Sequence, residues 1–162
     1  MNIFAPTKPL NPLWNGELPV DPVLILRAMR HRNLGVKVFS SENMQATGSI
    51  ERNEKGFSII YNAQELPVRQ RYFLAFATGY IEQGFMDNLT KMEFTPADFT
   101  LQNLDVAKRK SNIYALELLM PQRIVNFCVF KKGMSDIQQL ANTFSVSTSA
   151  MHAQLKRCDI IG

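Results

Sequence analysis

A zinc-assisted peptidase helix carries two histidines four residues apart, so that both imidazoles project from one face onto the metal, and a glutamate beside the first activates water. This chain has two histidines in all, His31 and His152, and neither has a second ligand at helical spacing. A histidine standing alone is far more often a surface or packing residue than a ligand. The two cysteines, Cys128 and Cys158, lack Cys-x-x-Cys spacing, which argues against a disulfide framework or a sulfur-rich zinc site and reads as packing. Among the acids, Glu65 and Glu82 flank the most apolar stretch, but neither has partner spacing for acid–base work, and both read as solvated surface. The residue types of catalysis are present without a pattern that performs it.

The elements that would position a site can be read from capping and apolar spacing. Residues 1–16 carry Pro6, Pro9 and Pro12 and form an expected extended arm, with Trp14 as its candidate anchor. Asp21 followed by Pro22 reads as an N-cap with proline at the first helical position, opening a helix that runs up to Gly35. Three short segments, Val36 to Ser40, Ala46 to Arg52 and Phe57 to Asn62, read as a small antiparallel sheet. The stretch from Pro67 to Phe85 is apolar around most of its circumference and predicts a buried central helix. A polar connection from Asp87 to Asn103 leads to helices at about Leu104 to Met120 and Pro121 to Lys132, the second closed by Gly133. Two short helices follow, Ser135 to Phe144 and Ser147 to Arg157, with Ser135 and Ser147 as caps. The expected class is α+β.

With 162 residues and 46% hydrophobic content the chain can bury one continuous core. No apolar run reaches the roughly twenty residues of a membrane span, and a cytoplasmic location is expected. The net charge of +4 is modest and scattered, so charge alone does not indicate a nucleic-acid binder.

Four blocks in one order resemble the ImmA/IrrE zinc peptidase family: Glu17-Leu18-Pro19-Val20-Asp21-Pro22-Val23; Arg69-Gln70-Arg71-Tyr72-Phe73-Leu74-Ala75; Asn112-Ile113-Tyr114-Ala115-Leu116-Glu117-Leu118-Leu119-Met120-Pro121; and Leu140-Ala141 through Phe144, Val146, Ser147, Ala150, Met151 and Leu155. The third block is the most specific, through its Leu-Leu-Met-Pro ending. The resemblance covers nearly the whole chain from about Glu17 and implies a zincin-like domain over residues 17–133, a sheet packed on a central helix. A helix-turn-helix-like pair over 134–162 would pack on the same core. Carried over by position, the first zinc histidine falls on Phe76, the catalytic glutamate on Ala77, the glycine on Gly79, the second histidine on Tyr80 and the third ligand, a glutamate, on Lys110. Phenylalanine cannot coordinate, alanine cannot take a proton, an ammonium repels a dication, and one phenol does not hold zinc alone. The resemblance therefore implies a degenerate member, with neither metal nor cofactor.

Family members typically act on helix-turn-helix repressors of prophages, mobile elements or stress genes. The leading expectation is a catalytically inactive pseudopeptidase, a phage or mobile-element regulator that binds a partner protein such as a helix-turn-helix repressor, in the manner of an antirepressor, with Trp14 as a candidate partner contact. One alternative is an active metallopeptidase that cleaves a repressor. The other is a DNA-binding regulator presenting Thr148, Ser149, His152 and Lys156 from its last helix, a mostly neutral face where phosphate contact normally recruits several Arg or Lys.

Overall fold

The computed structural model describes residues 12–162, so the expected arm falls outside the described residues over positions 1–11. Asp21 caps α1 (Pro22–Ala28), its carboxylate accepting from the Val23 amide at 2.9 Å, with Pro22 in the first turn. The helix stops well short of Gly35. Arg32 and Asn33 adopt positive φ, and this left-handed pair folds β1 (Arg30–His31) back on β2 (Leu34–Ser41) as a tight hairpin. Arg32 carries no sequence mark of that conformation, which is why the sequence predicts a continuing helix.

Among the described residues the sheet has five strands in the order β1-β2-β4-β3-β5, with β3 (Gly48–Asn53), β4 (Gly56–Asn62) and β5 (Lys91–Phe94) completing it. The expected all-antiparallel arrangement is corrected. β3 pairs antiparallel with β4 and with β5, but β4 inserts between β3 and β2 and runs parallel to β2, from Gly35 opposite Gly56 to Ser41 opposite Asn62. The 42–47 connection must then skip a strand position, and the Asn62 amide holds it there by donating to the carbonyls of Met44 and Ala46. β5 is new; it falls inside the segment that reads as polar connection, where four residues before Thr95-Pro96 are too few to show alternation.

Helix α2 (Pro67–Glu82) buries nine consecutive residues, Phe73 to Ile81. An unbroken buried run means the helix is covered on all sides, by α1, by the sheet and by α3 (Val106–Leu119). Two glycines permit this closeness. A Cβ on Gly48 would sit 2.1 Å from the Phe73 ring, and one on Gly79 would sit 2.5 Å from Tyr114 Cγ.

After α4 (Gln122–Asn126) and a wide turn over Phe127–Lys131, the chain closes with α5 (Ile137–Phe144) and α6 (Thr148–Arg157). Asp136, not Ser135, caps α5, and Ser147 caps α6 as expected. Leu140, Ala141, Phe144, Val146, Met151 and Leu155 join the same hydrophobic core as α2. From α2 the Arg71 guanidinium donates to the Val20 carbonyl at 2.8 Å and to the Ser145 carbonyl at 3.1 Å, with Phe144 at 3.5 Å. The fold is α+β, and among the described residues no single helix is long and apolar enough to cross a membrane.

Candidate functional site

Phe76 and Tyr80, one turn apart on α2, stack with centroids 5.8 Å apart and planes 24° apart. Phe94 from β5 meets both edge-on, at 5.0 Å from Phe76 and 5.1 Å from Tyr80, and Phe99 closes over Phe76 at 5.0 Å and 89°. Offset and edge-to-face contacts of this kind place positive ring edges against negative faces. Phe76 and Ala77 are fully buried, and Tyr80 is nearly so. Burial, and then the carboxylates of Asp105 and Asp98, push the Tyr80 phenol above its ordinary value, so it stays protonated. Lys110 is exposed on α3, outside this aromatic cluster. These residues do not fit a zinc ion. The space in front of α2 is occupied by rings, its one phenol is held neutral, and no group of three His, Cys, Asp or Glu is placed to ligate a metal among the described residues.

Phe99 sits on the connection between β5 and α3, and one buried side chain fixes that connection. Asn112 of α3 donates to the carbonyls of Asp98 at 2.9 Å, Thr100 at 3.3 Å and Lys108 at 2.9 Å, while its oxygen accepts from the Tyr72 hydroxyl at 2.8 Å. Lys108 bridges to Asp98 at 2.7 Å, and Thr95 with Asp98 forms a reciprocal cap on the turn between. The connection is thus pinned from both ends, with Phe99 held on Phe73 and Phe76.

Beside the aromatic cluster lies a groove of about 760 Å³. One wall is the start of α2, with Glu65, Val68, Arg69 and Tyr72; the second is Phe99 to Gln102; the third is α6, with Ser149, His152, Ala153 and Lys156. Glu65 departs from the solvated surface expected of it. Its Oε1 accepts from Thr47 Oγ1 at 2.9 Å, and its Oε2 is buried without a partner among the described residues. Glu82 does stay exposed, accepting from the Tyr114 hydroxyl at 2.5 Å. The α6 residues that would face DNA, Ser149, His152 and Lys156, line this concavity, while Thr148 stands at the helix start.

Trp14 is half-buried against the chain's own core, and its indole N–H donates to the Glu17 carbonyl at 2.9 Å. His31 bonds Asp87 at 2.9 Å and belongs to a surface polar cluster with Arg32. Burial pushes the thiols of both Cys128 and Cys158 up, so neither is a ready nucleophile. The groove escapes sequence reasoning because its walls come from segments distant in the chain; the spacing of Ser149, His152 and Lys156 on one helical face is its one visible trace.

No protein-family model matches this chain, and no curated protein does. Among solved structures it is similar to a Mycobacterium tuberculosis transcriptional regulator, at a TM-score of 0.54 and 16% identity over 80% of this chain and 39% of that one. The chain spans about two-fifths of that protein's length, and the likeness is one of fold.

Proposed function

We propose that this chain is a pseudopeptidase on an ImmA/IrrE-like, zincin-like scaffold that regulates transcription stoichiometrically, by binding a helix-turn-helix repressor of a phage or mobile element without cutting it. The observation that carries the reading is the ring stack of Phe76 and Tyr80, closed by Phe94 and Phe99 at the positions where the resembled family would hold its metal. A chain that fills that space with packed rings keeps the scaffold and its surfaces but has no means of activating water. The name of the structural neighbour, a transcriptional regulator, agrees with a regulatory role. DNA reading is the weaker alternative, because a recognition helix must stand proud of its domain to enter a major groove. Here the candidate face of α6 looks across a groove at Tyr72 and Leu101.

The test is to mix the chain with the product of the gene adjacent to its own and with helix-turn-helix repressors of the same host, and follow each mixture by size-exclusion chromatography and denaturing gel. The expected result is co-elution at equimolar ratio with the repressor chain intact. A shortened repressor would restore the peptidase reading, and operator binding without a protein complex would establish the DNA reading.

A further inference from the structure

The groove beside the aromatic cluster has a polarity that the fold itself does not need. Its walls carry apolar side chains, Val68, Tyr72, Leu101 and Ala153. Arg69 and Lys156 stand exposed on opposite walls, and neither has a carboxylate in salt-bridge range among the described residues. Arg157, by contrast, is taken up by Glu117. Glu65 lies on the α2 side, its Oε1 held by Thr47 and its Oε2 shut away from solvent.

We propose that the groove docks an extended acidic segment of a partner protein. The segment sets an apolar side chain against Tyr72 and Leu101 and turns carboxylates towards Arg69 and Lys156. Each element answers one observation. Unpaired cations on both walls call for negative charge on either side of the occupant, and the apolar lining calls for a hydrophobic anchor between them. An extended segment answers both at once, because its successive side chains point to opposite sides. The apolar lining separates a peptide from a nucleic acid, because a phosphate chain offers no apolar side chain to set there. The volume falls within the roughly 300–1,000 Å³ of clefts that enclose a small ligand, enough for a few side chains. The proposal deepens the protein-binding reading above and rests on it.

The experiment titrates the full chain with a short fluorescein-labelled peptide alternating leucine and glutamate, and with matched peptides in which lysine replaces glutamate or serine replaces leucine. A DNA duplex serves as a fourth probe. Anisotropy should show the leucine–glutamate peptide binding at least about tenfold more tightly than either matched peptide, with affinity falling as salt rises. The paired change Arg69→Glu and Lys156→Glu, and separately Leu101→Asp, should abolish that preference. Arg123→Glu, an exposed charge on α4, should leave it intact. Circular dichroism of each variant separates lost binding from lost folding, and an unfolded Leu101→Asp is replaced by Leu101→Ala, expected to weaken binding several-fold. Equal binding of acidic and basic peptides overturns the proposal, as does binding insensitive to the groove changes, binding of none of the peptides, or preference for the duplex. A repressor complex that survives the Arg69 and Lys156 changes overturns the groove alone; peptide binding without any repressor complex overturns the proposed partner and leaves the groove standing.

Discussion

Replacing Phe76 by alanine removes a ring with no exposure to solvent and partners on three sides: Tyr80 below it on α2, Phe94 edge-on from the sheet, and Phe99 as a roof. The cost has a transfer part and a cavity part, and for buried phenylalanines the total runs about 3–5 kcal/mol. The walls decide where in that range it falls. Phe94 is anchored in a paired strand, and the α2 backbone is held between α3 and the sheet, so neither can collapse into the void. Phe99 is half-buried at the groove and is the one neighbour able to settle inward, but Asn112 restrains the connection that carries it. The upper half of that range is therefore expected, about 4–5 kcal/mol. At roughly 2–4 °C per kcal/mol for a chain of this size, the melting temperature should fall by about 8–20 °C. Thermal unfolding by circular dichroism measures it, with urea denaturation as the independent check. A fall of under about 3 °C would refute the reasoning, because it would mean the ring does not fill an enclosed space.

Asn112→Ala removes one donor each from the carbonyls of Asp98 and Thr100, which keep longer contacts to Asn103, and the near acceptor of the Tyr72 hydroxyl, and should cost about 1–2 kcal/mol, with faster amide exchange confined first to residues 95–103. Unchanged exchange there would show that the connection is held by Phe99 packing alone. Asp87 is raised by burial but pulled further the other way by His31 and Arg32, so its folded pKa lies below its ordinary value. Its stabilising effect is therefore present at neutral pH, above the unfolded value of about 4, and is lost as pH falls through the folded one. Asp87→Asn should melt earlier than the parent at pH 7, and the gap should close in acid; a gap constant with pH would overturn the assignment.

What the sequence made legible is what local chemistry determines. Asp21-Pro22 and Ser147 mark helix starts through caps that the structure contains, and the apolar circumference of Phe73 to Ile81 announces a helix covered on every side. The aromatic replacements at Phe76 and Tyr80 were visible as residue types, and their facing rings follow from a four-residue helical step. The parallel pairing of β2 with β4 was not legible, since nothing local distinguishes a strand whose neighbour is next in sequence from one whose neighbour arrives a hairpin later. The edge strand β5 and the unpartnered Glu65 oxygen share that difficulty: each is defined by a partner, or by the lack of one, in a distant segment.

Arg71 reaches from the middle of the chain to carbonyls near both of its ends, Val20 on one side and Phe144 with Ser145 on the other. Burial pushes its pKa down and Asp21 offsets this in part, yet a guanidinium remains charged at any physiological pH. One permanent cation is thus shared between the entry to α1 and the turn between α5 and α6. Neither end can peel away without stranding a desolvated charge that the other end still half-satisfies. The two ends are therefore coupled into one unfolding unit, and native-state hydrogen exchange should find the amides of α1 and α6 opening together with a common denaturant dependence.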